Sequence, residues 1–226
     1  MLLGSLLLVN EEALSLIASG DPDLAVKRFR QALSMLRSVA SHFQEPLLSG
    51  VMLGHAVPQA LPAASCDSWH SEPLGFYPKA FQVHGIPASS LQVPVDKIGD
   101  QEVVILSRLI TPVLLYNFAL ALQLSANSEA KKASLFLKAC KLYFLCLQSL
   151  REDQVDGNAQ ILRLAASTNM GSIHSFFYQP DQSQACYYVL RSSFDDSMDL
   201  PDEEREDFQK LFLQTKLYSW KNAPAA

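Results

Sequence analysis

Seven of the twelve prolines and five of the nine glycines fall between residues 44 and 99. Proline removes a backbone donor and its ring clashes with the preceding helical turn, while glycine loses the most conformational freedom in a helix, so no long helix crosses that stretch. On either side apolar residues recur at helical spacing. The chain therefore reads as one all-α domain over residues 1–226, interrupted by an irregular Pro/Gly-rich insert at 44–99.

Before the insert, Gly20 closes one helix, Asp21 caps the next and Pro22 occupies its first turn. Leu24, Ala25, Phe29, Ala32, Leu33 and Leu36 then mark one apolar face, so residues 6–43 form a first helical hairpin. After the insert, helix is predicted from about residue 100 to 125 and from 128 to 151, a second hairpin over 100–151. Ala133, Phe136, Leu137, Cys140, Tyr143, Phe144, Leu147 and Leu150 hold the helical period in its second arm. A third hairpin spans 158–195, and a last helix spans 200–219, opened by Asp199, Pro201 and several acids. Inside the insert, "GFYPKAFQV" at 75–83 and "SLQVPV" at 90–95 suit short extended pieces. We expect the insert to dock on the helices through Phe76, Tyr77 and Phe81, with its remainder mobile.

The hairpins share a pattern. Asn117-Phe118-Ala119 and Asn169-Met170-Gly171 each place asparagine two residues before a small residue on a first helix. The facing helices carry Ala25 and Phe29, Ala139 and Tyr143, and more loosely Ala185 and Val189. Close helix contact requires small side chains at the crossing, with bulky ones filling the grooves alongside. The pattern resembles the tetratricopeptide repeat family over residues 6–43 and 110–195. The first hairpin has the family's twelve-residue spacing from Ala13 to Ala25; the second stretches it to twenty, Ala119 to Ala139, and the third to fourteen, Gly171 to Ala185. Glu12 and Val189 depart from the family pattern. The resemblance implies hairpins stacked as a short superhelical array, whose first helices line an inner groove that holds peptides or helices of partner proteins. Carried over by position, the peptide-binding candidates are Tyr116, Asn117, Gln123, Thr168, Asn169, Ser172 and Ser175. A subgroup that clamps a terminal carboxylate uses Lys and Arg where this chain has Val113, Tyr116, Ala165 and Thr168, so that activity is not implied.

Charge and motif content narrow the function. A net charge of −5 argues against nucleic acid as a partner, since phosphate binding needs a dominant basic surface. The longest apolar stretch, 103–124, contains Arg108, Pro112, Asn117 and Gln123, which suits a buried helix better than a membrane span. The N-terminal "MLLGSLLLVN" has two readings, a signal peptide or a buried first helix; Glu11 and Glu12 just after it, with no basic residue before it, favour the helix. Cys66, Cys140, Cys146 and Cys186 are sparse and apolar-flanked, which fits a reducing, cytoplasmic setting.

No nucleophile elbow, phosphate loop or paired-histidine zinc motif occurs. Among His55, Cys66, His70 and His84 only one close pair exists, so neither metal nor another cofactor is expected. His174 reads as a packing residue, since no acid is spaced to orient it. The acids Asp195, Asp196, Asp199, Asp202, Glu203, Glu204, Glu206 and Asp207 read as a solvated face or an acidic docking patch. Lys131, Lys132, Lys138, Lys141 and Arg151 face them with opposite charge, within the molecule or between copies. The expectation is a non-enzymatic interaction scaffold. The alternatives are a ligand-binding or enzymatic site between insert and helices, and a self-associating subunit.

Overall fold

A computed structural model describes residues 2–40, 55–59, 76–86, 88–94, 99, 102, 105–126, 132–150, 157–195 and 200–221. Most of them are helical. The first hairpin is α1 (Leu2–Ala18) and α2 (Pro22–Ala40). Gly20 joins them at φ 85°, with Gly20 N donating to Ile17 O at 3.0 Å and Asp21 N to Leu16 O at 2.9 Å. Those bonds satisfy the last carbonyls of α1, a closure that favours glycine because the left-handed region costs other residues about 1–2 kcal/mol. Asp21 Oδ1 then accepts from Leu24 N at 3.0 Å and caps α2. From the N-terminal apolar run, Leu2, Leu3, Leu6 and Val9 belong to the core, while Leu8 is exposed.

The insert contributes two strands, β1 (His55–Gln59) and β2 (Ala80–His84), paired antiparallel with His55 opposite His84 and Gln59 opposite Ala80. β2 overlaps the first predicted extended piece and runs one residue beyond it, to His84. The second is different: Ala88–Leu91 forms a short helix, α3. The partner strand β1 carried no sequence signal that we read. Cys66 and His70, and the expectation of mobility for the rest of the insert, fall outside the described residues.

Beyond the insert, a wide π-type turn at Leu106–Ile110 leads into α4 (Thr111–Ala126). Its cause is local. Pro112 has no N–H to offer and its ring disfavours a regular turn before it, so Thr111 N reaches back five residues to Leu106 O. Thr111 Oγ1 donates to the same carbonyl at 2.7 Å. The helical stretch Arg108–Ala126 is apolar and long enough to cross a membrane by composition, and 94% of it is buried inside the protein. Next come α5 (Lys132–Ser149), α6 (Gly157–Phe176), α7 (Pro180–Asp195) and α8 (Asp202–Lys221).

Each helix packs on its neighbour in order: α1 on α2, α2 on α4, α4 on α5, α5 on α6, α6 on α7 and α7 on α8. β2 lies against α1 and α4, and β1 against α6, so the strand pair runs across the first helices of all three hairpins. Ala13, Ala25, Ala119 and Ala139 are fully buried at their crossings, with Phe29 and Tyr143 beside them. The third hairpin departs from the expected register. Ala185 is exposed, and a Cβ placed on Gly171 would stand 3.1 Å from Cys186 Cβ and 3.0 Å from Tyr187 Cζ. Cys186 is therefore the small residue opposite Gly171. Three positions counted on the apolar face of α5 also stand in solvent: Ala133 is exposed, Leu137 is 60% exposed and Phe144 51%.

The revised register is testable. Gly171→Leu is expected to lower the urea-unfolding free energy by about 1–3 kcal/mol through overpacking. Ala185→Leu is expected to change it by no more than about 0.5 kcal/mol, as for an ordinary surface site.

Candidate functional site

The inner face formed by α1, α4 and α6 is occupied by residues 76–84 of the chain itself. Two of the candidate asparagines hold this segment through its backbone. Asn169 Oδ1 accepts from Tyr77 N at 2.6 Å while its Nδ2 donates to Tyr77 O at 3.0 Å. Asn117 repeats the arrangement four residues on, accepting from Phe81 N at 2.9 Å and donating to Phe81 O at 2.7 Å. A carboxamide carries one acceptor and two donors, so it completes a residue's backbone as a neighbouring strand would. Both asparagines are fully buried, where an unpaired peptide group would cost about 1–3 kcal/mol.

A second tier fixes these amides. Asn117 Nδ2 also donates to Asn10 Oδ1 at 2.9 Å, and Asn10 Nδ2 reaches Phe81 O at 3.4 Å. The Nδ2 of Asn169 is shared among Tyr77 O, Tyr116 OH at 3.1 Å and Tyr143 OH at 3.0 Å. Tyr116 OH lies 3.3 Å from Tyr77 O and 3.2 Å from Lys79 O, and Tyr143 OH donates to Gln123 Oε1 at 2.9 Å. Burial pushes the Tyr116 and Tyr143 phenols well above their usual range, so both remain neutral donors.

Of the sequence candidates, Tyr116, Asn117 and Asn169 thus converge on one segment, and Gln123 joins through Tyr143. Thr168 Oγ1 instead donates to Leu164 O at 2.8 Å within its own helix. Ser175 is buried and Ser172 half-buried. Asn10 escaped the sequence reading because it precedes Ala13 by three residues, whereas Asn117 and Asn169 precede their small residues by two.

The side chains of the segment are anchored as firmly as its backbone. Tyr77 and Phe81 are fully buried. Tyr77 stacks on Phe208 of α8 at 4.8 Å, and Phe81 meets Tyr116 edge-on at 4.9 Å. The expected docking through Phe76, Tyr77 and Phe81 is therefore present, all three being buried. Lys79, buried as well, places its Nζ 2.8 Å from Glu203, 2.9 Å from Glu204 and 2.9 Å from Asp207. Glu204 also accepts from the Tyr77 hydroxyl. Burial, reinforced by that bond, pushes the Tyr77 phenol far above its usual range.

The reading of the acidic run as a solvated face is corrected for Glu204 and Asp207, while Glu203 stays exposed. Glu204 is buried and Asp207 half-buried, because the first turns of α8 close over a lysine of the insert. Burial alone would lower the Lys79 ammonium, but the hydrogen bonds to Glu203, Glu204 and Asp207 outweigh it and hold it above the usual lysine range. The Glu203 carboxyl is held low by its hydrogen bond to, and the charge of, Lys79.

A second polar cluster lies between α5 and α6. Cys140 Sγ is 3.5 Å from His174 Nε2, and His174 Nδ1 is 2.7 Å from Gln179 Oε1. Gln179 supplies the orienting group that the sequence did not reveal. The order thiol, imidazole, amide matches that of a nucleophilic centre. Yet burial pushes the Cys140 thiol up, the reverse of the activation a nucleophile requires. The cluster is consistent with packing beside Phe136 and Phe176. Among the described residues no group of three His, Cys, Asp or Glu side chains is placed to hold a metal ion. No family model, curated protein or solved structure matches the chain.

Two outcomes are expected in urea unfolding. Asn117→Ala and Asn169→Ala each destabilise the fold by about 1–3 kcal/mol, by leaving backbone groups of residues 77 and 81 unpaired. Lys79→Met leaves the buried Glu204 carboxylate without its cation and costs about 3–5 kcal/mol near neutral pH. The sign with pH follows from the two shifts. The depressed Glu203 contributes stability above its unfolded value near 4.3, lost as pH falls through its folded value. The raised Lys79 contributes fully below about 10.4 and loses that contribution as pH rises through its folded value. The gap between the native protein and Lys79→Met is therefore widest from about pH 5 to 10 and narrows in acid.

Proposed function

We propose that the chain is a non-enzymatic protein-interaction scaffold: a short tetratricopeptide-like superhelical array whose inner face is filled by its own strand and whose partners dock on its outer surface. The observation that carries this reading is the pair of asparagine holds on residues 77 and 81. They bind an extended backbone by its peptide groups, the mode expected for a peptide in the groove of such an array, applied here within one chain. The consecutive packing of the helices and the buried alanines at the first two crossings support the same reading.

The internal strand belongs to the core. Fully burying Tyr77 and Phe81 contributes about 1.5–3 kcal/mol each, before the amide bonds and the Lys79 cluster are counted. A partner peptide competing for that face would have to replace all of it. The inner groove is thus a means of rigidity, and recognition passes to the outer helices. Tyr77 and Phe81 are buried where the described part of the insert meets the helices, which supports the scaffold reading over a ligand site there. Cys140, Cys146 and Cys186 are free thiols, in keeping with a reducing, cytoplasmic setting.

Affinity capture from native extract with the full chain, run beside a thermal scan against metabolites and metals, tests the reading. Protein partners retained near stoichiometric amount, with no small molecule shifting Tm, are expected. A metabolite or metal that binds the native chain at 100 times its Kd would stabilise it by about 2.7 kcal/mol. A shift of that size, or a catalysed reaction, would replace the scaffold by a ligand carrier or enzyme.

A further inference from the structure

The outer side of the array carries a groove that none of the foregoing uses. It is about 540 Å³ and open to solvent, bounded by α2 on one wall and α5 on the other, with α4 beneath. Its floor is apolar: Phe118 and Leu122 from α4, flanked by Leu33 and Leu142. Its rim is cationic. Arg30 and Arg37 line the α2 side, Lys138 and Lys141 the α5 side, and among the described residues no carboxylate lines it. Among the described residues no ion pair reaches any of these four cations.

Two observations make this more than a chance cleft. The chain has a net charge of −5, and its dense acidic run was the natural internal counterpart of the basic α5 face. Four of its eight acids are engaged elsewhere: Glu203, Glu204 and Asp207 converge on Lys79, and Glu206 pairs with Lys210 at 2.9 Å. Among the described residues, no acid of the chain pairs with the four cations of the groove. In addition, α5 continues the apolar floor out to the surface. Leu145 lines the groove at 38% exposure, and Leu137 and Phe144, more exposed still, stand on the same helix. Large apolar side chains beside an uncompensated cationic rim are the complement of a segment that is apolar on one face and acidic on its flanks.

We propose that the α2–α5 groove is a docking site for an acidic amphipathic helix of a partner protein. The helix would set its apolar face on Phe118, Leu122 and Leu145 and place its carboxylates against Arg30 and Arg37 on one side and Lys138 and Lys141 on the other. Leu137 and Phe144 lie beyond the groove lining, so the contact is longer than a small anionic molecule would need, which favours a helix as occupant. The inference takes from the scaffold reading only that the partner is a protein.

The test uses the full chain and a labelled synthetic peptide of about 18 residues, five helical turns, with leucines on one face and glutamates on the other. Two controls accompany it: the same composition with the leucines scattered, and the same pattern with lysine for glutamate. The variants are Arg30→Glu with Lys138→Glu, both at exposed sites, and Arg191→Glu on α7 as an exposed control. The patterned acidic peptide is expected to bind at least about tenfold more tightly than either control. Its binding should weaken by about tenfold or more in the double variant and with added salt, and be unchanged in Arg191→Glu. Equal binding of the scattered peptide, or binding indifferent to the double variant, overturns the proposal. Phosphatidylserine vesicles that bind more tightly than the peptide and lose binding in the double variant would replace the helix by a membrane surface. A dimer in sedimentation abolished by the double variant would replace it by a second copy of this chain. Partners captured from extract equally by native chain and double variant would leave the scaffold reading standing while removing this groove from it.

Discussion

Everything in the described structure turns on two buried carboxamides completing the backbone of one extended segment. Asn169 and Asn117 each exchange two hydrogen bonds with a single residue, four positions apart on residues 76–84. An extended segment has no helix of its own to satisfy its peptide groups, and at Tyr77 and Phe81 burial keeps water away. The asparagines resolve that problem from helices α6 and α4, which come from different hairpins. The same bonds therefore fix the spacing between hairpins, and Asn10 on α1 extends the arrangement to the first.

The charge distribution follows from that placement. The segment brings Lys79 into the interior, and a buried ammonium requires compensation. The first turns of α8 supply it, with Glu204 buried beside it and Glu203 and Asp207 at the edge. The negative charge preferred at a helix N-terminus anyway is thereby turned to a tertiary purpose. On the α2–α5 side, Arg30, Arg37, Lys138 and Lys141 have no ion pair among the described residues.

Cys140, His174 and Gln179 stand in an order that suits a nucleophile, but burial raises the thiol instead of ionising it. The three tyrosines around Asn169 are likewise kept protonated by burial, so they act as fixed donors and acceptors. The polar interior is organised to hold a chain in place.

The sequence by itself determined the helices and their hairpins, because apolar spacing, Gly20, Asp21 and Pro201 act within a few residues of one another. It also singled out Tyr116, Asn117 and Asn169, and the aromatic anchors Phe76, Tyr77 and Phe81. What it left open was which of these would meet. The pairing of β2 with β1, the meeting of Lys79 with acids more than a hundred residues away, and the choice of Cys186 over Ala185 opposite Gly171 depend on long-range register. Leu137 and Phe144 show the limit most directly: they share the helical period of buried neighbours yet stand in solvent. Periodicity defines a face, but only the neighbouring helices decide how wide a strip of that face is covered. The same reason explains why asparagines that suit a partner's peptide hold the chain's own strand: a side chain's chemistry is local, and what fills the space before it is settled by packing.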